Sequence, residues 1–428
     1  MKIVLPALLA AAAIAPASAA PADDAATYVQ AGRLLADPGT GRVETEKTIV
    51  VRGGRVAEIR DGYVGEGKVV DLRDAFVMPG FIDSHVHITG ESNPNERSDA
   101  LTKSATDSAF DGVVYAGRTL RAGFTTVIDL GGEPEAIYGL RNAIAAGKVE
   151  GPRIIAAGGV AAHGGHGDIH GYRQEILDLY RSPTLCSGAD DCARAVRQAV
   201  QSGADVIKTA STGGVMSNTA AGLGQQMSDA ELASLVETAH RLGRKVAAHA
   251  HGADGVNAAL RAGVDSVEHG TYLDAESIRL FKAKGSYLVP TLLAGDTVKQ
   301  RAETAEWMPA PVRAKARQVG PLMVDALRRA HKAGVKIAFG TDSGVSAHGD
   351  NAKEFALMVE AGMTPLETIR AATGWGGDHA GLTNEIGTLA PGKAADIVAV
   401  KGDPLTNIRA LEATAFVMKG GAVAKAPQ

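Results

Sequence analysis

Two histidines one residue apart, His85 and His87, close an apolar run in the stretch PGFIDSHVHITG. Residues two apart on a β-strand point to the same face, so this pair can offer two imidazoles to one metal ion. His-x-His also occurs on solvated strand edges, so the rest of the chain has to decide. Further along, apolar runs again end in residues that bind metals or move protons. Lys208 ends DVIK, His249 ends KVAAH with His251 just beyond, His269 ends DSVEH, and Asp342 ends KIAFGTD. One histidine in such a place is usually structural. Four histidines, a lysine and an aspartate at the ends of successive runs fit a site for two divalent ions about 3.5–4 Å apart, sharing a hydroxide whose pKa falls to near neutral. Histidine and carboxylate donors suit Zn²⁺.

These residues need a scaffold that gathers strand ends. Counting GFIDSHVH, eight apolar runs read as strands, the others being TTVIDL, RIIAAG, DVIKTAS, KVAAHAH, DSVEHG, YLVPTL and KIAFGTD. Each is followed by a helix or a long loop. That alternation predicts an α/β chain folded as a (β/α)8 TIM-like barrel, whose chemistry sits at the C-terminal ends of its strands. An open doubly wound sheet is the alternative, but the Gly-rich stretch AGGVAAHGGHGDIHG lacks the G-x-G-x-x-G spacing such a sheet favours. Two helices are well signed. Ser228 and Glu231 form a capping box before a stripe of Leu232, Leu235, Val236, Ala239 and Leu242; Thr364, Pro365 and Glu367 open another. Both chain ends read as short strands, with Gly-Gly turns at 53–54 and 420–421. The expected plan is a β-sandwich part at 20–78, the barrel at 79–385, and a second sandwich part at 386–428 that pairs with the first.

The 428 residues are 45% hydrophobic with a net charge of -4, so no basic excess points to nucleic acid or an anionic membrane. Residues 1–19, MKIVLPALLAAAAIAPASA, carry one lysine, an alanine-rich apolar stretch and a small-x-small end. They read as a secretory signal peptide. An anchoring helix fits less well, because Pro6 and Pro16 interrupt a stretch short for a membrane span. No later segment is long and apolar enough to span. The mature protein is therefore expected to be periplasmic or secreted. The two cysteines, Cys186 and Cys192, are then expected to pair, contributing about 2 kcal/mol on the chain-entropy model. Two free thiols are the alternative.

The set of His85 and His87 on the first strand, Lys208 on the fourth, His249 and His269 on the fifth and sixth, and Asp342 on the eighth resembles the amidohydrolase superfamily. GTLAPGKAADIVAV at 387–400 resembles the superfamily's returning β-segment. GADVIKTASTGG, AAHAHG, VEHGTYL and GTDSG are similar to the prolidase and Xaa-Arg/Lys carboxypeptidase branch, which includes ochratoxin-hydrolysing amidohydrolases. The resemblance implies that CO₂ or bicarbonate converts Lys208 to N6-carboxylysine, a carbamate bridging two Zn²⁺ or similar ions. That chemistry needs a neutral amine, far below the free lysine value of about 10.4. It also implies that His85 and His87 hold the more buried ion and His249 and His269 the more exposed one. Asp342 would ligate the first ion and shuttle the proton.

Tyr272, three residues past His269, is a candidate oxyanion donor; His163, His166, His251 and His348 are candidate substrate contacts. AHGGHG departs in part from the branch's Thr-Gly-Gly-His loop, and no motif supplies an arginine for a substrate carboxylate. The expected enzyme is an exported binuclear zinc amidohydrolase and a homo-oligomer. It would act on a small peptide or N-acyl amino acid and release a C-terminal amino acid. Proline, arginine or lysine, and the phenylalanine of ochratoxin A all stay open as that residue. A one-metal cyclic-amide hydrolase or deaminase, and a catalytically dead binding barrel, are the competing readings. Lys208 speaks against the first and the complete ligand set against the second.

Overall fold

The computed structural model describes residues 25–169, 171–216 and 222–427; the leader expected at 1–19 lies outside them. Eight parallel strands form the central sheet. In chain order they are Phe81–Val86, Phe124–Asp129, Arg153–Gly159, Val206–Ala210, Val246–Ala250, Ser266–His269, Tyr287–Val289 and Lys336–Ile337. They coincide with the eight apolar runs. The sheet closes on itself, because the first strand also bonds the chain beyond the last. Ser84 N–H donates to Phe339 O at 2.8 Å, Asp342 N–H to His85 O at 2.7 Å, and His87 N–H to Ser343 O at 2.7 Å. The result is an α/β, TIM-like barrel with Asp342 beside the His-x-His pair.

Helices pack outside this barrel against a continuous apolar layer. The helix Asp229–Arg241 begins at the Ser228–Glu231 capping box and buries Leu232, Leu235, Val236 and Ala239. Leu242 departs from the expected stripe: it is the C-cap and 41% exposed, because the helix ends before the stripe would turn it inward. Thr364, Pro365 and Glu367 open the helix Pro365–Ala371 as expected. After the seventh strand the chain forms a helical pair, Leu292–Thr304 and Ala310–Lys332, that reaches the barrel mouth. Among the described residues no helix is long and apolar enough to cross a membrane.

The chain ends build a separate seven-stranded sheet. The strands Thr27–Leu34, Glu44–Arg52, Arg55–Asp61 and Lys68–Pro79 join Ile397–Val400, Thr414–Lys419 and Ala422–Lys425. The sheet curls until Arg55–Asp61 meets the segment before Ile397, with Val56 N–H bonded to Lys393 O at 2.9 Å and Gly392 N–H to Val56 O at 2.8 Å. Inside lies its own apolar core, including Val29, Ile49, Leu72, Val77, Phe416 and Met418.

Candidate active site

At the C-terminal mouth of the barrel, inward-facing positions of successive strands bring His85, His87, Lys208, His249, His251, His269 and Asp342 around one cavity of about 990 Å³. His249, His251 and His269 offer nitrogens within 4.8 Å of one another, and His85, His269 and Asp342 form a second such group. The expected six-residue set is thus one cluster.

The hydrogen bonds behind the imidazoles settle which nitrogen faces the centre. His85 Nδ1 donates to Glu268 Oε2 at 2.8 Å, and His87 Nδ1 to Gly131 O at 2.7 Å. His269 Nδ1 meets Thr291 Oγ1 at 2.7 Å; the hydroxyl gives its own proton to Pro290 O, so it accepts from the ring. His249 is reversed, its Nε2 donating to Gly213 O at 3.3 Å. A neutral imidazole has one N–H and one lone pair. The lone pairs therefore sit on His85 Nε2, His87 Nε2, His269 Nε2 and His249 Nδ1, all available to a metal, with their partners fixing each ring's orientation.

The surroundings act unevenly on these rings: burial, then the charge of Lys208, holds His85 below the ordinary histidine value, whereas at His87 burial is outweighed by the Asp342 carboxylate, which raises it. Burial and the neighbouring imidazoles hold His249 and His269 well below the ordinary histidine value, and burial, then His166, holds His251 down at about 3. The remaining geometry asks for a cation. His249 Nδ1 and His269 Nε2 are 2.9 Å apart, two lone pairs facing each other. Asp342 Oδ1 is buried and makes no hydrogen bond, although His87 Nε2 stands 3.0 Å away and His85 Nε2 3.4 Å away. Burial alone would raise the Asp342 carboxyl, but His85 and His87 beside it hold it well below the usual carboxylate range. The donor set fits divalent ions held by His85, His87, His249, His269 and Asp342.

Lys208 lies on the same wall, and burial pushes its amine below the ordinary value against the pull of Glu268, Asp342 and Asp129. Among the described residues Nζ makes no hydrogen bond, so nothing there fixes its proton. That environment suits the neutral amine that carboxylation requires.

Of the expected substrate contacts, His166 and His251 line the cavity. The His166 ring lies tilted against that of His249, centroids 4.1 Å apart, and His251 Nδ1 meets Thr271 Oγ1 at 2.7 Å. The other three stand off the lining. Tyr272 is 36% exposed, and its main-chain N–H bonds His251 O at 2.9 Å. His348 bonds Gly90 O at 2.8 Å through Nε2 and stacks on Tyr115, which braces the turn after His87. His163 is exposed, 4.0 Å from Asp168. The position of these three in the sequence placed them near strand ends, but loop geometry turns them aside.

Sequence reasoning passed over Glu268, Thr291 and the wall of the cavity. Glu268 precedes His269, and alternation should send neighbours to opposite faces. His269 adopts φ 71°, which breaks the alternation, so the strand presents Glu268 beneath the site and His269 at its rim. Ser266 Oγ donates to Glu268 Oε1 at 2.6 Å and completes its bonding. Thr291 holds φ 50° at the start of Leu292–Thr304, whose first N–H groups, Leu292 and Leu293, donate to the buried Glu354 carboxylate at 2.9 and 2.6 Å. The wall itself is largely apolar, with Leu179 and Leu185 on one loop, Val215 and Met216 on another, and Val298, Val319 and Met323 from the helical pair. Cys186 and Cys192 are bonded to each other and anchor the end of the 179–185 loop.

A closed eight-stranded barrel with this ligand set at its mouth defines a class, and the family comparison agrees. Residues 76–425 match the amidohydrolase family, and the chain belongs to it. Ochratoxinase of Aspergillus niger is 34% identical over 434 residues, covering 94% of this chain and 87% of that protein. Its crystal structure superposes with a TM-score of 0.84 at 31% identity, covering 94% of this chain and 96% of the other. A Xaa-Pro dipeptidase with methionine bound in its active site gives a TM-score of 0.89 at 39% identity, covering 93% of this chain and 99% of that one. A prolidase complexed with N-methylphosphonate-L-proline gives 0.85 at 30% identity, with 94% and 100% covered. The protein is a hydrolytic enzyme of this family.

Proposed function

We propose that the protein is an exported, binuclear zinc amidohydrolase that cleaves the amide bond to a C-terminal amino acid in a small peptide or an N-acyl amino acid, ochratoxin A included. The observation that carries this reading is the convergence of four oriented imidazole lone pairs, Lys208 and the unbonded Asp342 Oδ1 on one cavity. The relatives support the substrate class, since one solved structure holds methionine and another a prolyl phosphonate. Export is supported by the composition of residues 1–19 and by the Cys186–Cys192 bond, which suits an oxidising compartment. Assembly as a homo-oligomer follows from the family resemblance.

When bound, paired divalent ions lower the pKa of water held between them to near neutral and polarise an adjacent carbonyl. His85, His87 and Asp342 would hold one ion, and His249 and His269 the other. Lys208, carboxylated, would reach both. Asp342 Oδ1 would take the proton of the attacking water and return it to the leaving nitrogen. His166 and His251 orient the substrate beside these groups, and the apolar wall keeps bulk water from its flank. The test is a panel of N-acyl amino acids given to the zinc-loaded enzyme. Release of the free amino acid is the expected result, and no release from any member overturns the proposal.

A further inference from the structure

We infer that Glu354 is a positioning residue for His269, acting through Thr291. The inference rests on the two-ion reading above, in which His269 offers Nε2 to a metal. That offer depends on the other ring nitrogen. Nδ1–H has to stay bonded to Thr291 Oγ1, 2.7 Å away, for the lone pair to remain on Nε2. Thr291 accepts that proton in an unusual conformation. It is the N-cap of the helix Leu292–Thr304, yet it holds φ 50° and ψ 44°, a left-handed backbone that a β-branched residue rarely adopts. An N-cap threonine ordinarily sits in extended backbone and gives its hydroxyl oxygen to the second or third N–H of its helix. Here the hydroxyl makes no such bond; it donates to Pro290 O at 2.8 Å and accepts from His269.

The helix start is capped from elsewhere. Glu354, fully buried on the helix Lys353–Glu360, takes the Leu292 N–H on Oε1 at 2.9 Å and the Leu293 N–H on Oε2 at 2.6 Å. The next N–H, of Ala294, turns back to Thr291 O at 3.2 Å. These N–H groups are thus satisfied without the Thr291 side chain. A local cap was available in Thr291 itself. A carboxyl group brought from beyond the eighth strand takes over that task and releases the hydroxyl for His269. With one of its two acceptors removed, a freed N–H draws Thr291 back to the ordinary N-cap conformation. The hydroxyl then leaves His269, whose Nδ1–H loses its partner and whose lone pair is no longer held toward the cavity.

The test compares Glu354→Gln, Thr291→Ala and the double variant in the zinc-loaded enzyme. Glutamine keeps the shape but accepts only one of the two N–H groups. Chelator competition should show the more weakly held zinc bound about 10- to 100-fold less tightly in each single variant, the range for losing a group that orients a metal ligand. The double variant should lose no more than Thr291→Ala, because both changes remove the same bond. Glu354→Asp keeps both oxygens but withdraws them by one methylene; it should lose less in the same direction, and it carries the test if the glutamine variant does not fold. Unchanged zinc affinity in the folded Glu354 variant, or losses that add in the double variant, overturns the inference, since a cap that served the helix alone would not act through Thr291. A ¹⁵N-histidine spectrum separates this from the parent reading. If wild-type enzyme binds fewer than two ions, the two-ion reading falls, and the His269 Nδ1–H signal, identified by its loss in Thr291→Ala, decides the positioning role. That signal should disappear in Glu354→Gln as well, and the role is overturned if it stays in place.

Discussion

Among the described residues four that are not glycine adopt left-handed φ values, and three of them, His269, Thr291 and Asp342, stand at the barrel mouth. The fourth, Glu46, belongs to the sheet built from the chain ends. That sheet otherwise places its tight turns on glycine. Gly53 and Gly54, at φ 53° and 76°, and Gly420 and Gly421, at 52° and 79°, make two hairpins that pack on each other. One region thus lets local preference decide, and its strands bury an apolar core. The other holds ordinary residues in unfavourable backbone, leaves Asp342 Oδ1 unbonded and sets histidine lone pairs face to face. Such strain persists only where the surroundings over-determine it, and here the barrel's closing hydrogen bonds do so. The difference separates a region built for stability from one built for chemistry.

Substitutions should respect that division, and the largest effect belongs at the mouth. Lys208→Ala should abolish nearly all turnover and lower the metal content while the melting temperature changes little. Lys208→Glu should keep some activity, because a carboxylate partly replaces the carbamate. Near wild-type turnover in Lys208→Ala would break the comparison.

Glu268→Gln is the next step down. The amide oxygen can still accept from His85 Nδ1, but the buried charge is gone. Loss of such a supporting group typically costs about 10- to 100-fold in metal affinity or activity. A chelator competition titration reads it directly, and unchanged affinity would mean that Glu268 serves packing alone.

Between the two regions lies the disulfide. Replacing both Cys186 and Cys192 with serine should cost about 2 kcal/mol of stability, measured by denaturant unfolding. Because the bond anchors the cavity loop 179–185, KM should rise more than kcat falls; a change in neither would detach the loop from substrate binding.

The smallest effect belongs to the end-built sheet. Gly53→Ala meets no atom within 4 Å, so only its backbone conformation is penalised, by about 1 kcal/mol. Activity should not move. Gly54→Ala should cost more, since its Cβ would come 2.7 Å from Gly420 O.

The same division governs what could be read from the sequence. The eight barrel strands and both Gly-Gly hairpins were legible, because apolar runs and glycine pairs act locally. The cluster of His85, His87, Lys208, His249, His269 and Asp342 was legible because each closes such a run. Glu268 was hidden by the φ of its neighbour, which no alternation rule anticipates. Thr291 comes from the start of the helical pair after the seventh strand, where distance along the chain says little about distance in space. Tyr272, His163 and His348 show the converse. Their closeness in sequence to a strand end or a glycine-rich loop did not carry them to the cavity. The packing of the Gly54 turn on Gly420, which ties the two chain ends together, was likewise beyond any local signal.

The central claim is that one cavity holds two ions between four histidines, Lys208 and Asp342. The most direct measurement is the metal content of the enzyme after zinc loading in bicarbonate buffer and removal of free ion by gel filtration. Near two equivalents of zinc per chain is the predicted result. One equivalent, or none, would contradict the account.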